Sequence, residues 1–307
     1  MNFGGIKDLE DLSDFLGFSS QNLYYLVDIS DGLYSAVKIP KKQPGKFRTI
    51  FIPVPELRGV QKQILRSILQ QIPSHKNAVA YKRGLSVVDA AKKLCGPNYL
   101  LKMDVKDFFP SIAVERVFSL FKRIGFNNVV SHVLTKLTTY KGGLVQGAPT
   151  SPAISNLVCD GLDEVLTRLA DSWSMRYMRY SDDMFFFKDK GFKHRHFSLR
   201  VSRILKGAGF RTNRGKTRYY QAGQPRHTLG LLTHGRKVAL PRKTRKNYRA
   251  AFYKASKDVA WARKNQDVLA GMSEWYRAIY GKDDRFLEYS AVLKNIKSLR
   301  IHSPYLI

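Results

Sequence analysis

The sequence predicts an α+β fold, a sheet with helices packed on one face, and three observations carry that prediction. The run YLLKMDV at residues 99–105 is short, largely apolar and ends at an acid, as a buried strand would. The run RYMRYSDDMFFFK at residues 176–188 reads as a β-hairpin, with Ser181, Asp182 and Asp183 at or near its turn. Around these two, apolar residues recur at helical spacing, so the middle of the chain alternates strand, helices, hairpin and helix.

The elements follow in order. Residues 9–27 alternate apolar and polar positions at helical spacing and read as two short helices, with Ser13 and Ser19 as caps. A Pro/Gly/Lys turn at 41–46 enters a β-rich stretch, 48–54, bounded by prolines. Pro55 opens a helix whose apolar stripe is Val60, Ile64, Leu65, Ile68, Leu69 and Ile72. After the strand at 99–105, helices are expected at 114–124 and 128–138. The loop YKGGLVQGAPTSP leads into one long helix, about 152–170. Beyond the hairpin another helix ends near Gly207. Short β-like pieces at 228–233 and 237–240 precede a strongly basic helical segment that begins near Pro241.

The formal net charge is +29, from 53 Lys and Arg against 24 Asp and Glu. That excess would strain a compact chain by self-repulsion unless a polyanion neutralises it. Nucleic acid is the first candidate and an anionic membrane surface the second. Residues 201–250 hold 14 Lys or Arg and no acid, with Phe210, Tyr219, Tyr220 and Tyr248 interleaved. Such a mixture suits a groove that tracks a nucleic-acid backbone and offers stacking platforms. Cys95 and Cys159 are too few for a disulfide framework and have no metal-type spacing. The N-terminal residues lack the pattern of a signal peptide, and no apolar run approaches the ~20 residues of a membrane span. The expectation is a cytoplasmic protein with no membrane partner.

The aspartate pair carries the chemical question. An Asp-rich turn by itself is commonly a solvated loop tip. The stretch MDVKDFFPSI adds a third acid, Asp104, at a strand end. Three carboxylates brought together from a strand end and a hairpin would repel one another unless divalent metal neutralised them. Mg²⁺ takes oxygen ligands and keeps substrate phosphates in its shell. Two such ions, ~3.5–4 Å apart, stabilise the attacking and leaving oxygens of an in-line phosphoryl displacement. Acids embedded in a basic protein then make sense: the acids hold metal, and the Lys and Arg hold nucleic acid and triphosphate.

Five segments, in order, resemble the boxes of bacterial reverse transcriptases of the retron and group II intron kind. KFRTIFIP resembles the fingers strand and MDVKDFF the first-aspartate box. LVQGAPTSPAISNLV resembles the Gln-Gly-x-x-x-Ser-Pro box, YSDD the Tyr-x-Asp-Asp box, and TNRGKT the Asn-x-x-Lys-Thr segment. The resemblance runs from about residue 41 to residue 233. It implies a right-hand polymerase fold, with fingers and palm in 1–235 and a basic helical thumb in 236–307. The fingers would take about 1–98 and parts of 113–145, the palm about 99–112 and 146–235. It further implies an RNA-directed DNA polymerase of the retron type, copying a structured noncoding RNA into DNA from dNTPs, in anti-phage defence with an effector protein encoded nearby.

Residue roles come with the resemblance. Asp104, Asp182 and Asp183 would be the triad for two Mg²⁺ ions, with the backbone carbonyl of Val105 as a further ligand; Asp107 is left unassigned. Phe109 matches the position whose ring packs under the incoming sugar and excludes a ribose 2′-OH, while Phe108 is assigned to the core. Gln146 and Gly147 match residues at the incoming nucleotide and template base, and Gly142, Gly143 and Gly147 would permit close backbone approach. Arg48 and one of Lys41 or Lys46 would grip the triphosphate. Lys216 resembles the lysine that protonates departing pyrophosphate, a solvated surface charge being its other reading. Tyr180, and Arg242, Lys243, Arg245 and Lys246 at the start of the basic tail, would contact nucleic acid. Trp261, Trp275 and Tyr276 would belong to the thumb. His194 and His196 are expected to face solvent.

Two retron elements differ here. The stretch DAAKKLCGPNYLLKMD carries no Asn-Ala-x-x-His, and Thr228-Leu229-Gly230 stands where Val-Thr-Gly is usual. Two other functions therefore stay open at this level: a stand-alone defence reverse transcriptase with unusual priming or untemplated synthesis, and a non-catalytic RNA-binding or maturase-like protein.

Overall fold

The computed structural model describes residues 3–29, 32–40 and 45–298. The chain divides into two compact bodies, Met1–Arg83 with Leu100–Tyr219, and Gly84–Tyr99 with Tyr220–Ile307.

The first body opens with α1 (Leu9–Leu16) and α2 (Ser20–Asp28). Asp8 and Ser19 cap them, each side chain accepting a backbone N–H of the first turn. Ser13 is no cap. It lies buried inside α1, where its hydroxyl donates to the Glu10 carbonyl and meets Ser20. An antiparallel hairpin follows, β1 (Tyr34–Pro40) and β2 (Phe47–Pro53), with Val37 opposite Ile50 and Ile39 opposite Arg48. Pro55 then starts α3 (Pro55–Ser67), whose Val60 and Ile64 enter the core.

The central sheet contains β3 (Tyr99–Lys106), β4 (Arg176–Tyr180), β5 (Asp183–Lys188) and β6 (Arg211–Thr212), in the order β4-β5-β3-β6, with β7 (Arg218–Tyr220) also pairing β3. Between β3 and β4 run α5 (Val114–Ile124), α6 (Asn128–Thr138), α7 (Ser151–Val158) and α8 (Asp160–Asp171); α9 (His194–Gly207) follows β5. Gly125 ends α5 at φ 115°, and the Asn127 side chain caps α6. The single helix expected over 152–170 is two, broken at Cys159.

Strand alternation sorts β3 into two faces. Leu101, Met103 and Val105 enter the core, where Met184 and Phe186 of β5 meet Phe197, Val201 and Leu205 of α9. Lys102 and Asp104 point to the opposite face. Helices thus cover one face of the sheet, and the acids stand on the other.

The second body holds α4 (Val87–Lys93), the hairpin β8 (His227–Thr228) and β9 (Leu231–Leu232), and helices α10 (Arg242–Lys257), α11 (Val259–Lys264), α12 (Gln266–Tyr280) and α13 (Asp284–Ser298). A Ser86–Asp89 capping box starts α4. Val88 and Ala91 of α4 are buried with Leu231, Val238 and Leu240. Arg226 is buried too and donates to the Pro97 carbonyl at 2.6 Å. These contacts join residues 84–99 to the C-terminal part of the chain. Among the described residues no helix is long and apolar enough to cross a membrane.

Candidate active site at the hairpin turn

The hairpin turn is two residues long. Tyr180 pairs with Asp183, leaving Ser181 and Asp182 at the tip, with Ser181 at φ 58° in the left-handed region. The turn is tied to β3 by its own backbone: the Val105 N–H donates to the Asp182 carbonyl at 2.9 Å. On the other side of β3, the Asn213 N–H donates to the Asp104 carbonyl at 2.7 Å. Main-chain bonds therefore bring all three sequence-predicted acids together.

Their side chains feel one another. Burial pushes the Asp182 carboxyl up to about 6, and the charges of Asp183 and Asp104 push the same way. Asp183 is raised as well, chiefly by burial, with Lys102 pulling it back. Two lysines supply counter-charge: Lys102 Nζ lies 2.7 Å from Asp183 Oδ2, and Lys216 Nζ lies 2.8 Å from Asp104 Oδ1. Burial disfavours the Lys216 ammonium, but its hydrogen bond to Asp104 and the charges of Asp104, Asp182 and Asp183 together outweigh that, so it holds its proton more firmly than a free lysine. With 60% of its side chain exposed, Lys216 is neither free in solvent nor locked in.

Carboxylate oxygens beside this negative field are the donor set a hard divalent cation takes, so the residues fit Mg²⁺ by chemistry. Among the described residues, however, no group of three or more Asp, Glu, His or Cys side chains has the arrangement to hold a metal ion. Asp104 and Asp183 are each turned onto a lysine. Val105 sits where β3 meets the turn, opposite Thr212 in register, its side chain in the core.

The loop carrying Gln146 and Gly147 docks on β2, where the Phe51 N–H donates to the Gln146 carbonyl at 2.8 Å. A Cβ on Gly147 (φ 118°) would stand 2.2 Å from the Phe51 carbonyl oxygen and 2.9 Å from Ile50 Cγ2. Only glycine fits there. Gly143 is similarly close, 2.9 Å from the Ile112 carbonyl, whereas Gly142 has open space and serves the turn at φ 81°. Arg48 shares a strand face with Ile50, the residue over Gly147, and both Arg48 and Lys46 are exposed. Lys41 lies outside the described residues. Phe108 is core, as expected; Phe109 is half-buried, its ring 5.6 Å from that of Phe108. Asp107 is exposed at φ 48°, its carbonyl accepting from Ser111. Tyr180 is half-buried at the end of β4.

Two expectations need correction, those for Phe210 and His194. Phe210 offers no stacking platform: it is buried, stacked with Phe108 and covered by the Arg116 guanidinium. His194 does not face solvent freely, because its ring stacks on Tyr219 at 4.0 Å. In the second body, Trp261, Trp275 and Tyr276 are partly buried in small apolar clusters. Arg242, Lys243, Arg245 and Lys246 are all exposed on the first turns of α10.

Other residues escaped the sequence reading. Lys102 lies two positions before Asp104, hence on the same strand face, and that spacing is a signal that could have found it. Tyr81, at φ 63°, meets the Ser181 hydroxyl at 2.7 Å. Arg179 and Asp163 form a wholly buried pair behind the turn; nothing local in the sequence marks them as partners.

A family model described as reverse transcriptase (RNA-dependent DNA polymerase) matches residues 39–233. The Retron Ec86 reverse transcriptase of Escherichia coli is 33% identical over 252 residues, covering 81% of this chain and 78% of that protein. The Retron Mx162 reverse transcriptase of Myxococcus xanthus is 32% identical over 257 residues, 73% of this chain, which spans only 53% of that longer relative. Among solved structures, a telomerase from Candida albicans in complex with a fragment of telomeric RNA aligns with a TM-score of 0.49 at 12% identity, over 89% of this chain and 64% of that one. The missing Asn-Ala-x-x-His and Val-Thr-Gly elements do not remove the chain from its retron relatives. The mixed helix-and-sheet architecture is that of a right-hand polymerase, and the chain belongs to the reverse transcriptase family as an RNA-directed DNA polymerase of the bacterial retron type.

Proposed function

We propose that the face of the sheet opposite the helices holds the catalytic centre, with Asp104, Asp182 and Asp183, joined by the Val105 carbonyl, holding two Mg²⁺ ions. The observation that carries this reading is the gathering of three carboxylates, with burial and then the charges of Asp183 and Asp104 raising Asp182, and two lysines answering them. Bound there, the ions would supply positive charge to the attacking and leaving oxygens of nucleotidyl transfer. The chain's own groups do the rest. Arg48, with Lys46 or Lys41, grips the triphosphate. Gln146 and Gly147 offer backbone at the nucleotide, and the Phe109 ring stacks under the sugar and excludes a 2′-OH. Lys216, whose ammonium keeps its proton, hands that proton to the pyrophosphate as it departs. Tyr180 and the α10 cations lie along nucleic acid. The division into fingers and palm (1–235) and thumb (236–307) is part of the same reading.

The template in this reading is a structured noncoding RNA, copied from dNTPs into DNA within a retron. Anti-phage defence with an effector partner encoded nearby is part of the same proposal. Labelled dNTP incorporation on a primed RNA template tests the centre, with Asp182→Asn/Asp183→Asn as control; equal incorporation by that variant would sink it. Sequencing nucleic acid that copurifies with the protein tests the retron role. Covalently joined RNA and DNA supports it, and repetitive or untemplated DNA replaces it with a stand-alone defence enzyme.

A further inference from the structure

Behind the catalytic turn lies a charge pair that the chemistry above does not use. The Arg179 side chain is 1% exposed and that of Asp163 is 0% exposed. Arg179 grips Asp163 with both edges of its fork, Nε to Oδ1 at 2.8 Å and Nη2 to Oδ2 at 2.6 Å. Its remaining nitrogen, Nη1, donates to Asn156 Oδ1 and to the Ser181 carbonyl, both at 3.2 Å. Asp163 also accepts from the Tyr177 hydroxyl at 2.7 Å. The Arg179 backbone is held as well, its N–H donating to the Asn77 carbonyl and its carbonyl accepting from Val79. The Asn156 amide donates to Ala80, so the whole assembly is tied to the segment that carries Tyr81.

A buried ion pair is poor value as a stabiliser, because desolvation offsets most of its attraction and apolar replacements are often as stable. What this pair adds is direction. Beyond Asp163 and Asn156, the Arg179 fork donates to the carbonyl of Ser181, the left-handed residue immediately before Asp182, while its guanidinium lies over the Phe108 ring at 5.8 Å. Tyr81 holds the Ser181 hydroxyl from the other side. We propose that Arg179, oriented by Asp163, is a positioning residue that fixes the Ser181 carbonyl and thereby the direction in which Asp182 and Asp183 present their carboxylates. This rests on the reading of those two acids as catalytic. Misplacing a catalytic group by about an ångström costs about 100-fold in rate, so a guanidinium that touches no substrate can govern turnover.

Two variants test the proposal beside wild type and Asp182→Asn. Arg179→Lys keeps a buried cation against Asp163 but has no fork to reach Ser181 at the same time. Asp163→Asn/Arg179→Gln removes both charges while leaving amides for Tyr177 and Asn156. The readings are kcat and KM for dNTP on a primed RNA template, RNA affinity, and Tm. The expected result is folded protein with unchanged RNA affinity and dNTP KM, and kcat about 10- to 100-fold lower. Wild-type kcat in either folded variant overturns the proposal. So does a kcat loss that merely follows the loss of folded protein, and Arg179→Lys decides alone where the double variant does not fold. An active Asp182→Asn enzyme would instead sink the reading of the acids, whatever the Arg179 variants do.

Discussion

The Lys102 ammonium lies 2.7 Å from Oδ2 of Asp183, occupying with one charge a place where the catalytic reading calls for a divalent ion. Lysine and metal then compete for the same oxygen. Lys102→Met should lower the Mg²⁺ concentration that half-saturates thermal stabilisation, by about 10-fold if roughly 1.4 kcal/mol of repulsion is removed. A Mg²⁺ titration followed by Tm measures this. An unchanged midpoint would mean that Lys102 does not oppose the ion.

Asp182 makes the metal-free protein sensitive to pH. Its folded pKa, about 6, is above the ordinary value of 3.8. A carboxyl raised in this way contributes stability that is fully present below about 3.8 and lost as pH rises through about 6. In EDTA, Asp182→Asn should therefore be more stable than wild type at pH 7.5, by on the order of 3 kcal/mol at most. The advantage should shrink between pH 6 and 4. Urea denaturation of both proteins at the two ends of that range gives the difference directly, and a variant less stable at pH 7.5 contradicts it.

Gly147→Ala should injure the loop that docks on β2. The new methyl would stand 2.2 Å from a backbone oxygen, at φ 118°, and neither backbone can yield cheaply. A cost of about 2–4 kcal/mol is expected, with a higher KM for dNTP if Gln146 and Gly147 serve the nucleotide. Thermal melting and steady-state kinetics report the two effects. A melt like wild type would show that the loop can lift from Phe51 without penalty.

The four cations on the first turns of α10 sit at the positive end of the helix dipole, where they are least welcome. Changing Arg242, Lys243, Arg245 and Lys246 to Gln should raise the helix's own stability. If each meets a phosphate, the slope of log affinity against log salt should fall by about 3 for single-stranded RNA. Fluorescence anisotropy at several salt concentrations measures it, and an unchanged slope removes these residues from the interface.

Phe109→Ala tests the sugar gate separately. Loss of the ring should relax dNTP selection over NTP by about 10-fold or more, since the discrimination rests on one steric contact. Competing incorporation of dNTP and NTP on the same template is the measurement, and unchanged selectivity would assign Phe109 to packing alone.

Much of this was legible because local signals and tertiary structure agreed. The helices at Val114–Ile124 and Asn128–Thr138 carry their own stops and caps, Gly125 and Asn127. The acids were readable because an acid at a strand end among apolar neighbours has few stable explanations. Strand β1 was not readable: its residues 35–40 are exposed, and it exists through pairing with β2. Phe210 misled because its basic surroundings in sequence are not its surroundings in space. Arg179 and Asp163, sixteen residues apart, each look like ordinary surface charges. Only the inward phase of β4, shared with Tyr177, hints otherwise, and the partner is supplied by the fold.

The backbone bonds at Asp104 and Asp182 have a consequence for how this lineage can change. Both carbonyls are claimed by neighbouring main-chain N–H groups, from Asn213 and Val105, so the frame is held by atoms that every amino acid but proline shares. On the catalytic reading proposed above, exchange of all three acids for asparagine would end synthesis while those main-chain bonds remain. On that reading a duplicated gene could shed polymerisation in very few steps and survive as an RNA-binding protein.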